Sequence, residues 1–191
     1  VPLSPASRVS RSMGSCPRTG TPSFSASATA PPWPNIWLSP PLVKIQAGNI
    51  LKGMIKTDPN HQTDYEANYK AFIQEIDTLD ADIKKIFAGK QGVQFMVFHP
   101  SWGYFAREYG LKQVAIEMEG KEPKPAQLLE LIDFARKNGI RVIFVQRQFS
   151  AKKARVVARE IGGRVVVVDP LAENWFDNLR FVAESIHAVI K

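Results

Sequence analysis

The fold class predicted for this chain is α/β: a four-stranded parallel sheet with helices on both faces, preceded by a long linking helix. Three observations predict it. After Gly89, short and nearly continuous apolar runs alternate with stretches of helical period, the pattern of parallel strands buried on both faces. Before Gly89, the apolar stripe Tyr65, Tyr69, Phe72, Ile76, Leu79, Ile83 and Ile86 recurs at spacings of four and three. With 191 residues, 45% of them hydrophobic, the chain can bury a sizeable core.

Residues 1–34 differ in kind from the rest. They are rich in Ser, Pro, Arg and Thr, and the first acidic residue of the chain is Asp58. Such a segment buries too little apolar surface to offset its ordering entropy, so a disordered or non-native tail is expected there. Met13-Gly14-Ser15-Cys16 has the outline of a lipoprotein cleavage box, but Arg8 and Arg11 stand where an apolar run would precede it, and no signal sequence is read. The abrupt change near residue 35 has the character of a truncated or frame-shifted reading of a longer gene.

From Ser39 a helix is expected. Ser39 serves as its N-cap and Pro40 and Pro41 occupy the first turn, where a missing N–H costs little. Leu42, Ile45, Ile50, Leu51 and Met54 give it apolar positions, and Asp58-Pro59-Asn60 ends it. The linking helix then covers residues 63–88, roughly 40 Å at about 1.5 Å per residue. That length suits a brace between two lobes.

Strands are expected at 93–98, 113–116, 140–145 and 164–168. The helices between and after them cover 102–109, 125–137, 152–161 and 175–190. Gly110, Asn138-Gly139 and Gly162-Gly163 close three of these helices in C-cap positions. The domains therefore read as a tail (1–34), a remnant segment (35–62), the linking helix (63–88) and an α/β lobe (89–191).

Composition excludes several function classes. The formal charge of +7 falls to +4 without Arg8, Arg11 and Arg18, and the remaining basic residues share helices with Glu and Asp. No aromatic-interleaved basic patch is present, so no nucleic acid is expected as a partner. No apolar run approaches the roughly 20 residues that span a bilayer. Cys16 is the single cysteine, which excludes an internal disulfide and a thiolate-cluster metal site.

In an open parallel sheet, ligands bind beyond the carboxyl ends of the strands. Those ends carry His99 after the first strand, Glu117 and Glu119 after the second, Gln146 and Arg147 after the third, and Asp169 after the fourth. His99 and Asp169 each precede a proline, which biases both backbones toward extended geometry at the rim. A neutral imidazole and a carboxylate at one rim suit a borderline divalent cation such as zinc or manganese. Glu117 and Glu119 read as ordinary loop carboxylates, His61 as a solvated turn residue and His187 as a flank of the last helix. No nucleophile elbow and no phosphate-cradling glycine loop is present, which argues against an enzyme.

Several segments together resemble the metal solute-binding proteins of zinc- and manganese-type ABC transporters (cluster A-I). They are the run Phe98-His99-Pro100-Ser101-Trp102-Gly103-Tyr104-Phe105, Glu119-Gly120-Lys121-Glu122-Pro123, Gln146-Arg147-Gln148-Phe149-Ser150, Val168-Asp169-Pro170-Leu171-Ala172 and Ile36-Trp37-Leu38-Ser39-Pro40. The match covers residues 35–191, as the C-terminal lobe plus linking helix. The resemblance implies two lobes with a metal between them, no catalysis, a periplasmic or extracytoplasmic location, and an ABC permease as partner. It makes His99 a metal ligand, with Asp169 the acidic ligand of some members.

The chain departs from the family pattern where Trp33-Pro34-Asn35-Ile36-Trp37 stands in place of an Asp-Pro-His-x-Trp motif, so that Asn35 replaces a ligand histidine. A site left with one His and one Asp falls short of the three or four protein ligands of tight zinc binding. Weak metal binding is therefore expected, together with self-association through the helices that have lost a covering lobe. The alternative reading is a small flavodoxin-like α/β enzyme or regulatory domain.

Overall fold

A computed structural model describes residues 35–117, 121, 123–149 and 151–190. The expected tail at 1–34, with Cys16, lies outside them, as does Glu119. The described chain opens on a single 3-10 turn, Ile36–Leu38, and then forms α1 (Pro40–Thr57) and α2 (Gln62–Ile86). It continues as β1 (Gln94–Val97), α3 (Gly103–Glu108), β2 (Lys112–Ala115), α4 (Pro125–Lys137), β3 (Val142–Gln146), α5 (Ala151–Glu160), β4 (Arg164–Val168) and α6 (Trp175–His187). All four strands are parallel, in the order β2-β1-β3-β4. Among the described residues no helix is long and apolar enough to cross a membrane.

The sheet is covered on both faces, as the continuous apolar runs require. One face carries α2, α3 and α6, with Leu79, Ile83, Phe105, Leu179 and Val182 packed on Phe95, Val97 and Phe144. The other carries α4 and α5, with Leu131, Ile132, Ala154 and Val157 packed on Met96, Ile143 and Val145. The C-terminal half of α2 is buried at Ile76, Leu79 and Ile83, whereas Phe72 and the α1 residues Ile45, Ile50 and Met54 stay exposed.

The expected elements are present with local differences at their ends. Strand β3 starts at Val142 instead of 140 because Ile140 N–H donates to Ala135 O at 2.8 Å, making it part of the cap that ends α4 beside Gly139 at φ +67°. Helix α6 stops at His187, and Val189 and Ile190 pack on the core beyond it. Ser39 stands at the N-cap of α1, but its hydroxyl does not cap. It donates to Glu108 Oε2 at 3.0 Å and ties α1 to the end of α3.

One glycine is required by close approach. A Cβ on Gly163 would lie 2.2 Å from Arg141 O, the carbonyl that accepts the Arg164 N–H and starts the β3–β4 ladder.

A candidate metal centre at the carboxyl rim of the sheet

The β1–β2 pairing decides what surrounds His99. Val97 is in register with Ala115. Counting two residues past that pair in each strand brings His99 opposite Glu117, and Glu117 N–H donates to Phe98 O at 2.9 Å. His99 Nδ1 makes a very short hydrogen bond to Glu117 Oε2. The Glu117 side chain is only 9% exposed, while that of His99 is 34% exposed. The imidazole also stacks on Phe149, with ring centroids 4.7 Å apart and planes at 21°.

An ionised carboxylate accepts hydrogen bonds and has none to donate. It therefore assigns the imidazole proton to Nδ1 and leaves the Nε2 lone pair outward, with no hydrogen bond among the described residues. A carboxylate behind an imidazole is the arrangement that orients metal-binding histidines and raises their basicity.

The loop after His99 is held from two sides. Ser101 N–H donates to His99 O at 2.9 Å, and the Ser101 hydroxyl makes a short hydrogen bond with the Gln146 amide at the end of β3. Asn35, buried at 8% exposure, donates from Nδ2 to Ser101 O at 3.1 Å. Two residues on, Trp37 Nε1 donates to Pro170 O at 2.8 Å, and Trp175 Nε1 donates to Trp37 O at 2.9 Å. The 35–38 turn thus straps the loop of His99 to the loop of Asp169.

Asp169 itself is half-buried. Its Oδ1 accepts the Leu171 N–H at 2.9 Å, and its carbonyl accepts from Asn178 Nδ2 at 2.7 Å. It lines a cavity of about 590 Å³ with Arg147, Val167, Asp177 and Phe181, among others, and His99 does not share that cavity. Strand β3 separates β1 from β4, so the two strand ends are two strand spacings apart, roughly 10 Å. Among the described residues, no group of three or more His, Cys, Asp and Glu side chains is placed to hold a metal ion.

The structure thus puts His99, Glu117, Gln146 and Asp169 in a row along one rim. It joins His99 to Glu117 and leaves Asp169 two strands away. His61 bonds Asp58 at 2.8 Å in the exposed α1–α2 turn, and His187 is exposed at the end of α6. Neither approaches the rim row. The sequence named Glu117 among the rim residues but read it as an ordinary loop carboxylate; the pairing of β2 with β1 is what sets it against His99.

A parallel α/β sheet covered on both faces, with a carboxylate-backed imidazole at its carboxyl rim, is compatible with the class of metal-ion solute-binding proteins. The chain belongs to the family described as "Zinc-uptake complex component A periplasmic" (ZnuA), which it matches over residues 21–189. That match takes in residues 21–34 of the segment expected to be a tail. The chain is 34% identical over 140 residues to the high-affinity zinc uptake system protein ZnuA of Bacillus subtilis, covering 72% of this chain and 44% of that protein. A putative metal-binding protein of Treponema pallidum is 30% identical over 158 residues, 82% of this chain and 50% of that one. The chain therefore spans about half the length of the curated relatives it matches.

Among solved structures, a crystal structure of ZnuA is 44% identical with a TM-score of 0.80, over 83% of this chain and 60% of that one. The laminin-binding protein (Lmb) of Streptococcus agalactiae, described as having adhesin and metal transporting activity, is 29% identical with a TM-score of 0.75, over 83% of this chain and 64% of that one. The family's description is that of a periplasmic component of a zinc-uptake complex.

Proposed function

We propose that this chain is the C-terminal lobe of the metal-binding component of an ABC uptake transporter, that it takes zinc or manganese, and that it works without catalysis beside a membrane permease. The observation that carries the reading is the His99–Glu117 pair, an imidazole whose outward nitrogen is left free by a carboxylate nine-tenths buried behind it. Relatives named as zinc uptake and zinc-binding proteins favour zinc as the cargo. Imidazole is a better donor for zinc than for manganese, which favours carboxylate and carbonyl oxygen. Asp169 is proposed as a second donor that reaches the metal only when another part of the protein brings the ion between the two loops.

The separation of His99 and Asp169 by β3 is compatible with a small flavodoxin-like enzyme as well. The family match weighs decisively against that alternative. With one imidazole offered, affinity is low. Calorimetric titration of the chain with zinc and with manganese should give binding weaker than about micromolar, and the zinc signal should vanish in His99→Ala. Submicromolar one-to-one binding would overturn the weak-site reading, and weak binding unaffected by His99→Ala would remove His99 as the ligand.

A further inference from the structure

Strand β4 is the outer edge of the sheet, with β3 on one side and no strand among the described residues on the other. Its sequence is Arg164 followed by four valines. Arg164 N–H donates inward to Arg141 O at 2.8 Å. Backbone direction alternates along a strand, so residues 164, 166 and 168 bond to β3, while the N–H and C=O groups of Val165 and Val167 point out of the sheet. Val167 is 51% exposed although its neighbours in β3 are buried.

The two helical layers define what flanks this edge. On one layer, Arg136 of α4 bonds Glu160 of α5, so that flank of α5 faces α4. Arg155 and Arg159, at i, i+4 spacing and about 140° and 100° round the helix from Glu160, lie on the flank turned from α4 toward the open edge. Both are exposed and neither makes an ion pair among the described residues. On the other layer, Phe176 and Arg180 of α6 meet Phe72 and Asp82 of α2. The flank of α6 turned away from α2 carries Phe181, 50% exposed, and Phe181 and Val167 line one cavity beside the edge.

We propose that the open edge of β4 is a docking site for an extended segment of another protein, added as a fifth strand, which presents carboxylates toward α5 and apolar side chains toward Phe181. Edge-strand addition draws its affinity from main-chain hydrogen bonds and its selectivity from alternate side chains. Here the outward groups of Val165 and Val167 supply the first. Arg155 and Arg159 on one face and Phe181 on the other supply the second. The cavity on the α6 side is lined by the carboxylates of Asp169, Glu173 and Asp177 with Arg147 as its one cation among the described residues, a balance that favours placing a partner's acidic groups on the α5 side. A second copy of this chain is disfavoured as the occupant. Two β4 strands paired antiparallel would bring Arg155 and Arg159 of both copies together on the same face, and like charges facing one another repel.

The test uses the full chain and a fluorescein-labelled peptide of about seven residues, close to an ordinary strand length, alternating valine and glutamate. An alternating valine–lysine peptide serves as comparator. Saturable anisotropy is expected for the glutamate peptide, with slowed amide hydrogen exchange at Val165 and Val167, and at least about tenfold weaker binding of the lysine peptide. Val167→Pro removes an outward donor and leaves the inward ladder intact, as proline is tolerated on the open side of an edge strand. It should abolish binding. If that variant fails to fold, Arg155→Glu combined with Arg159→Glu should reverse the preference between the two peptides. No saturable binding up to about 1 mM, equal binding of both peptides, or protection elsewhere than β4 overturns the proposal. So does a concentration-dependent dimer whose exchange protection maps to β4.

Discussion

Removal of the Glu117 carboxylate is the perturbation that bears most directly on the rim site. In Glu117→Ala, His99 Nδ1 loses the one acceptor that fixes its proton, and the ring keeps only its stack on Phe149. Loss of a carboxylate behind a metal-binding imidazole typically lowers metal affinity about 10- to 100-fold, or roughly 1.4–2.7 kcal/mol. The near-complete burial of Glu117 keeps water from replacing it efficiently, so the upper half of that range is expected. Glu117→Gln retains an acceptor oxygen without the charge and should fall between wild type and alanine, since charge-assisted hydrogen bonds are roughly twice as strong as neutral ones. Nitrogen-15 imidazole spectra recorded during zinc titration provide the assay, because they report both the protonated nitrogen and the one that meets the metal. The wild-type ring should be protonated at Nδ1 and should shift at Nε2 as zinc is added, while Glu117→Ala should show mixed tautomers. An unchanged tautomer together with unchanged zinc affinity in Glu117→Ala would refute the orienting role.

Four other outcomes are expected. Gly163→Ala sets a methyl carbon 2.2 Å from Arg141 O at the start of the β3–β4 ladder, and should destabilise the chain by about 1–3 kcal/mol, a drop of roughly 2–12 °C in Tm by calorimetry. Burial, and then the nearby Asp80 carboxylate, pushes the Tyr109 phenol well above its usual range, so the stability it contributes is complete below about pH 10 and is lost as pH rises further. Tyr109→Phe should flatten that alkaline loss in urea melts, at a cost near neutrality of about 1 kcal/mol for the bond to Asp80. Asn35→His offers a second imidazole from its place beside Ser101 and should raise zinc affinity by about tenfold or more in titration calorimetry; unchanged affinity would put residue 35 out of reach of an ion at His99. The exposed apolar residues Ile45, Ile50, Met54 and Phe72 should drive concentration-dependent self-association that Ile50→Asp weakens, and a monomer by light scattering at high concentration would count against it.

Much of this fold was legible because hydrophobic period changes sharply at Gly89. Helix α4 and strand β4 have the bounds read from the sequence, since proline opens one and paired glycines precede the other. Pairing was not legible. Nothing local orders four similar apolar runs as β2-β1-β3-β4, and without that order Glu117 is just a loop carboxylate. With it, the Val97–Ala115 register puts Glu117 behind His99 across 18 residues of chain. Ser39 misled for the related reason that its hydroxyl had a local use as a cap and a distant one at Glu108, and the distant partner is invisible to a local reading.

The rim is better provided with rigidity than with donors. Asn35 to Ser101, Trp37 to Pro170 and Trp175 to Trp37 form three hydrogen bonds, each contributing about 1 kcal/mol, that lock the loops after β1 and β4 to one short turn. Breaking either tryptophan bond frees a loop without adding a ligand. Under the proposed function, a metal entering this site would meet an imidazole already aimed, with little ordering cost left. What limits affinity is coordination number, because Asn35 uses its amide N–H₂ to hold Ser101 and offers at most a weakly basic oxygen to an ion. Stiffening the rim further should do little, whereas each added imidazole or carboxylate within reach of His99 Nε2 should act nearly at full strength.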